Sequence, residues 1–196
     1  GQRAYSQKDL PPTEEKRRLN QLGQQRLLDL GYQLVGMDHF ALPDDSLVSA
    51  MHEGDLHRNF MGYTKDPGKL LIGLGVSSIS DIHLAYGQNV KTVEGYMEKV
   101  AQGELPIFKG HVMTAEEIST KAQILTVACQ KSFDDQCLPE GVDKKLYDLL
   151  KDGLLTKKGG QYLVTSLGNQ FLRNICSIFD PNFQKVRKER TFSQAV

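Results

Sequence analysis

The chain has no tryptophan, and its 196 residues include only three cysteines, Cys129, Cys137 and Cys176. An odd, widely spaced set excludes a closed disulfide framework and points to a reducing compartment, the cytoplasm. Neither sign of charge is in excess: 24 Lys and Arg balance 24 Asp and Glu, so no global field draws in nucleic acid or an anionic membrane. Long hydrophobic runs are missing too. The longest, at residues 70–76, is too short and too interrupted by glycine to span a bilayer. The first residues, Gly-Gln-Arg-Ala-Tyr-Ser-Gln-Lys-Asp, contain no apolar signal region, and Gly1 in place of an initiator methionine fits an excised segment. There is no internal repeat and no low-complexity tract. The rest, 39% hydrophobic and 24% charged, suits one ordinary globular domain or two small ones with a real core.

Local signals then divide the chain. Pro11-Pro12 before Thr13-Glu14-Glu15 predicts a helix start, with Thr13 as cap and the acids facing the positive end of the dipole. Leu19, Leu22, Leu27, Leu28 and Leu30 form an imperfect stripe, and Gly31 suits a left-handed stop. Residues 32–37 follow as a strand apolar enough for burial on both faces, so that helix then strand reads as one unit of an α/β layer. A second helix runs from Pro43-Asp44-Asp45 to Glu53 and closes at Gly54. Residues 56–64 lack a clear period and are expected to be irregular or a short strand. Residues 70–76 read as the next strand, with Gly73 and Gly75 marking close approach of a ligand or another backbone. Residues 92–102 form a third helix, stopped by Gly103.

From Thr114 the texture turns helical, which divides the chain into residues 1–112 and 113–196. Thr114 and Glu117 form a capping box, and Ile118, Ala122, Leu125 and Cys129 fall on one helix face. A shorter helix spans Asp143–Lys151. Residues 154–156 and 161–165 pair as a hairpin about Gly159-Gly160. Leu167, Phe171, Ile175 and Ile178 mark a last amphipathic helix before a polar tail at 180–196. Helix, helix, hairpin, helix is a winged-helix-like order.

Several groups invite chemistry. Gly73-Leu74-Gly75 lacks the third glycine of a dinucleotide fingerprint, since Ser78 stands in its place, so backbone approach is the better reading. Asp38, His39, Asp44 and Asp45 fit no metal-ligand spacing; the last two suit a helix start, and the first two a strand-end loop. Cys129 and Cys137 read as packing residues. His57-Arg58-Asn59-Phe60 is a dense polar and aromatic cluster. The Arg58 fork suits a carboxylate, or else forms a solvated surface pair. Lys157-Lys158 with Lys185, Arg187, Lys188 and Arg190 supply local positive charge, but Asn169, Gln170, Arg173 and Asn174 on the last helix make no basic stripe. Nucleic acid is therefore not expected as a partner.

Three blocks, residues 36–45 (Gly-Met-Asp-His-Phe-Ala-Leu-Pro-Asp-Asp), 56–64 (Leu-His-Arg-Asn-Phe-Met-Gly-Tyr-Thr) and 70–80 (Leu-Leu-Ile-Gly-Leu-Gly-Val-Ser-Ser-Ile-Ser), together resemble a known family. It is the oxygen-independent coproporphyrinogen III oxidases, or coproporphyrinogen dehydrogenases, radical S-adenosylmethionine enzymes of haem synthesis. Residues 171–176 (Phe-Leu-Arg-Asn-Ile-Cys) and the basic tail resemble the end of those enzymes, so the likeness extends over essentially the whole chain. Only their C-terminal portion is matched. The Cys-x3-Cys-x2-Cys run that holds their iron–sulfur cluster is not in this sequence.

The resemblance implies an α/β fold: the last elements of a partial (β/α) barrel, then a mainly helical, winged-helix-like domain. It implies that a [4Fe-4S] cluster held elsewhere cleaves S-adenosylmethionine to a 5′-deoxyadenosyl radical. Two propionates of coproporphyrinogen III are thereby decarboxylated to vinyl groups, with an external electron donor and acceptor. Phe60 matches an aromatic residue of the cofactor pocket, Met61 stands where a Gln is familiar, and Ile79 is implied to touch S-adenosylmethionine. Phe60 and Met61 are thus the implied catalytic positions and Arg58 an implied substrate contact, with no metal ligand on this chain. The chain by itself is expected to be inert, and its exposed barrel edge is expected to pair with another copy. Two other classes stay open: a haem-trafficking relative, and a winged-helix interaction module. Trafficking relatives resemble His-Asn-x-x-Tyr-Trp where this chain has residues 57–63 and no tryptophan, which favours the oxidase.

Overall fold

Helices and small antiparallel sheets alternate along the chain, whose computed structural model describes residues 9–68, 70–181 and 183. In order these are α1 (Thr13–Asp29), β1 (Gln33–Gly36), β2 (His39–Ala41), α2 (Ser46–Glu53), β3 (His57–Arg58) and β4 (Tyr63–Thr64). Then come β5 (Ile79–Asp81), β6 (Ala85–Asn89), α3 (Val93–Ala101), β7 (Ile107–Val112) and α4 (Ala115–Gln130). The last are β8 (Ser132–Asp134), α5 (Asp143–Lys151), β9 (Leu155–Lys158), β10 (Gln161–Val164), α6 (Ser166–Gln170) and α7 (Leu172–Cys176). Among the described residues β1 pairs with β2 and β3 with β4, while β5-β6-β7 and β8-β10-β9 form the larger sheets, all antiparallel. The tail cations Lys185, Arg187, Lys188 and Arg190 lie outside the described residues.

Most start and stop signals act where they stand. Asp45 caps α2 by accepting from the Leu47 amide at 2.8 Å, and Gly54 ends the helix at φ +83. Thr92 caps α3, and both halves of the Thr114/Glu117 capping box are formed at the start of α4. Gly159 and Gly160 both take positive φ, as a tight hairpin turn requires. At α1 the cap falls one residue early: Pro12 occupies that position with extended backbone, Thr13 is already helical, and no side chain caps the helix.

Four elements differ from expectation. The strand at 32–37 is one arm of a hairpin, because Met37 (φ 49) reverses the chain and brings β2 against β1; a parallel neighbour is absent among the described residues. Residues 70–76 are not a strand. Only Leu71 bridges to Asp81, and the Gly73 and Gly75 carbonyls are taken by the Asn89 side-chain amide, at 2.9 Å each, in place of a ladder. The α4 face at Ile118, Ala122 and Leu125 is only partly covered, and full burial begins at Val127. The last amphipathic segment is split in two at Phe171, whose backbone (φ −113, ψ 21) leaves the helical region.

Two apolar cores result. The larger, from Val127, Phe133, Leu146, Leu155, Tyr162, Leu172, Ile175 and Phe179, holds α4, α5, α7 and the β8-β10-β9 sheet together. The smaller gathers Val35, Ala41, Val48, Leu56, Tyr63 and Cys129, so the end of α4 serves both. Residues 70–112 contribute to neither: β7 is exposed throughout, as are Val93, Met97 and Val100 of α3.

Gly168 of α6 is pressed against the Leu154 carbonyl oxygen with no room for a Cβ. Gly168→Ala is expected to lower stability by about 1–3 kcal/mol in chemical denaturation, the cost of overpacking. An unchanged midpoint would show that the contact is loose.

Candidate functional site

The β3–β4 hairpin carries the motif that the sequence singled out, and its tip is fastened from three sides. The Asn59 amide donates to the Gly62 carbonyl at 2.9 Å, and Asn59 Oδ1 accepts from the amides of Met61 (2.8 Å) and Gly62 (3.3 Å). Gly62 (φ +142) has the His39 ring where a Cβ would stand, so both its conformation and its crowding favour glycine. Tyr63, next along, is buried: its hydroxyl donates to the Ala128 carbonyl at 3.0 Å, and its ring meets His39 edge-on at 5.1 Å. That burial pushes the phenol up to about 12. The tip therefore holds Phe60 and Met61 outward, 53% and 87% exposed, although both are apolar.

Strand alternation sends the two preceding side chains opposite ways. Arg58 turns inward, its guanidinium 4.8 Å above the Tyr63 ring, with Nη1 buried and unpaired among the described residues. Its charge acts there on the buried thiols of Cys129 and Cys176, which desolvation pushes up to about 11 and about 12. His57 instead lines a cleft shared with Asn59, Asp81 and Lys121.

Ile79 begins β5 and is placed by a glycine. Gly73 lies so close to the Ile79 backbone that a Cβ would stand 2.8 Å from its carbonyl, which is the backbone approach expected at that position. The loop is stitched down further by the Gly75 amide donating to the Tyr96 hydroxyl at 3.1 Å. In the β5–β6 register Ile79 faces Gln88 and Asp81 faces Tyr86, so these side chains share one sheet face. Phe60 packs edge-on against Tyr86 at 5.2 Å. Lys121 Nζ, from α4, sits 4.8 Å from the Tyr86 ring centroid and donates to Asp81 Oδ2 at 2.6 Å. The structure thus brings Phe60, Met61 and Ile79 to one region and leaves Arg58 behind it.

The adjoining cleft encloses about 220 Å³, with Leu71, Leu84, Ile118 and Leu125 among its walls. Desolvation, then the Lys121 charge, keeps the His57 pKa below its ordinary 6.5. A second cleft, between α1 and α6–α7, is lined by Arg17, Asp38, Asn169, Arg173 and Asn174. There Asp38 accepts from or pairs with His39 at 3.0 Å and meets Arg173 at 3.5 Å, the strand-end role foreseen for Asp38 and His39. At the β9–β10 hairpin Lys157 is engaged by Asp135 and lies over the Tyr162 ring, so it is not a free surface cation. Among the described residues no group of His, Cys, Asp and Glu is gathered as a metal would need, and no helix is long and apolar enough to cross a membrane.

Sequence reasoning missed Asp81, Tyr86 and Lys121. They come from β5, β6 and α4, and no spacing links residue 81 to residue 121. The usable signal was a lysine interrupting the apolar stripe of α4 next to Ala122.

No family model matches the chain. Over its whole length it is 35% identical to an oxygen-independent coproporphyrinogen III oxidase of Synechocystis and 34% identical to that of Escherichia coli K12. The chain spans 45% of the length of each. One from Thermostichus vulcanus is 37% identical across 95% of this chain and 61% of its own. A solved structure of coproporphyrinogen III oxidase from Escherichia coli, described as a radical SAM enzyme, superposes with a TM-score of 0.79 at 36% identity. It matches 90% of this chain and 43% of that one. The resemblance carried by residues 36–80 therefore holds along the entire chain, against the C-terminal part of those enzymes.

Asn59→Ala removes the acceptor that fixes the tip, at a cost of about 1 kcal/mol of local stability. Faster hydrogen exchange at the Met61 and Gly62 amides is the expected result. Unchanged exchange would mean that Tyr63 and Gly62 hold the tip without it.

Proposed function

We propose, with the kinship to oxygen-independent coproporphyrinogen III oxidases as premise, that the chain is the C-terminal portion of such an oxidoreductase. The whole protein would convert coproporphyrinogen III to protoporphyrinogen IX in haem synthesis, in the cytoplasm, by oxidative decarboxylation of two propionates. The observation that carries this reading is the tip at residues 59–62, which presents Phe60 and Met61 to the outside, Phe60 against Tyr86 on the sheet face that Ile79 shares. Exposed apolar side chains on a fastened turn are what a wall for an absent group looks like.

S-adenosylmethionine, bound with a [4Fe-4S] cluster held outside this chain, supplies the hydrogen-abstracting chemistry of the reaction. The residues present fit such a group as an apolar wall. Phe60 and Ile79 exclude water and offer no easily removed polar hydrogen, and the bare Gly73 lets the backbone close around Ile79. Met61 extends that wall without the amide of the familiar Gln. Arg58 serves substrate only if its guanidinium leaves the Tyr63 ring; in the structure it supports the hairpin from behind. In this reading the cluster is held outside this chain, so the chain alone would be inert, and an external electron donor and acceptor complete the reaction.

In the same reading residues 1–112 complete the enzyme's barrel and residues 113–196 form a winged-helix-like domain over the substrate. The uncovered leucines of α1, Leu19, Leu22 and Leu28, with Leu30 at its C-terminal cap, and the β7 edge then mark where further protein packs, in the same protein or a second copy.

Reconstituted, full-length protein given S-adenosylmethionine, reductant, an electron acceptor and coproporphyrinogen III under anaerobic conditions is expected to release carbon dioxide and a product lighter by two carbon dioxides and four hydrogens. Phe60→Ala is expected to cut kcat by about 100-fold through lost positioning. Met61→Gln is expected to keep turning over. Cofactor cleavage with the substrate untouched would overturn the oxidase reading.

A further inference from the structure

The face of α4 at Ile118, Ala122 and Leu125 has the periodicity of a core face, yet it lines a cleft. This stripe is half-buried at Ile118 and Leu125 and exposed at Ala122, on a helix buried completely at Val127 to Cys129, so an apolar face stays partly open beside the cleft. The polar groups on this cleft converge. Lys121 Nζ is held at 2.6 Å by Asp81 and lies over Tyr86, which leaves part of its donor capacity unused. His57 faces it from β3, and Asn59, one residue before Phe60, borders it.

We propose that this cleft seats one carboxylate-bearing arm of an amphipathic ring substrate. Lys121 and His57 would receive the carboxylate, with Leu71, Leu84, Ile118 and Leu125 against the apolar ring edge. The assignment rests on the reading given under Proposed function and names propionate contacts besides Arg58. Its volume, about 220 Å³, is below the roughly 300–1,000 Å³ that encloses a whole drug-sized ligand, so it takes an arm and not the ring. The ring itself then extends toward Tyr86, which lies against Lys121, and Phe60, whose ring meets that of Tyr86 at 5.2 Å.

The seat has a pH signature. The groups that act on His57 are Lys121 from α4, Asp81 from β5 and His83 from the β5–β6 turn. Desolvation and Lys121 hold the imidazole below its ordinary 6.5, so it is neutral at neutral pH until a carboxylate arrives. A bound carboxylate favours the charged ring and raises its pKa. Affinity therefore rises as pH falls through the bound-state value, and it levels off below the free-state value.

Coproporphyrin III, the stable oxidised ring with the same propionate arms, is the probe, dialysed against full-length protein alongside its tetramethyl ester. Lys121→Met is expected to weaken coproporphyrin binding about tenfold or more. His57→Gln, which leaves the Lys121–Asp81 pair in place, is expected to abolish the gain in affinity between about pH 8 and about pH 6. The ester should respond to neither change. Coproporphyrin affinity unchanged by Lys121→Met, or a pH slope that survives His57→Gln, would overturn the seat. Should these shifts appear in a protein that never decarboxylates coproporphyrinogen III, the oxidase reading fails and the seat stands. Turnover with neither shift gives the reverse.

Discussion

The hydrogen bond from the Tyr63 hydroxyl to the Ala128 carbonyl ties the parts of this chain together. It links the β3–β4 hairpin to α4 across 65 residues, at the point where α4 enters both cores. The Tyr63 ring also meets His39 of β2 and lies under Arg58, while Gly36 of β1 has no Cβ because the hydroxyl occupies that space. Three hairpin strands and a helix are thus fitted around one phenol. The tip that follows from this arrangement is held by these contacts behind it and by the Asn59 bonds within it.

A second tie reaches the part of the molecule that has no core. Residues 70–112 form a sheet and a helix whose apolar side chains are largely uncovered, and their one deeply buried polar group, Asn89, is spent on the loop at Gly73 and Gly75. Lys121 compensates by reaching from α4 to Asp81 and Tyr86. An ion pair still partly open to water contributes modestly by itself. Combined with a cation–π contact and the Phe60 edge, it fixes which sheet face meets the hairpin tip. The sheet that carries Ile79 is therefore oriented by the helical part of the chain.

Apart from the α1 cap, which falls on Pro12 and not on Thr13, local chemistry was legible where a signal needs only its own neighbours. Gly31, Gly54, Gly103 and the Thr114/Glu117 box end or start helices as their residue types dictate, and Gly73 marks a backbone approach. Periodicity failed where a pattern has two physical causes. Ile118, Ala122 and Leu125 look the same in sequence whether they pack a core or wall a cleft, and residues 70–76 are apolar enough for a strand while their carbonyls bond to Asn89. Long-range pairing was invisible for the same reason that it matters. The Asp81–Lys121 pair spans 40 residues, so only the fold brings it together. For the site, the motif at 57–63 located the tip, but not that strand alternation would turn Arg58 inward and His57 toward the cleft.

The central claim is that Phe60, Met61 and Ile79 form a wall for a cofactor supplied from outside this chain. Its most direct test is the carbon-13 methyl resonance of Met61, 87% exposed in the structure, followed as S-adenosylmethionine is added to the full-length, cluster-loaded protein. The account predicts that this signal shifts and becomes protected from solvent relaxation agents in step with cofactor binding. A Met61 methyl that stays unshifted and exposed while the cofactor binds would contradict it.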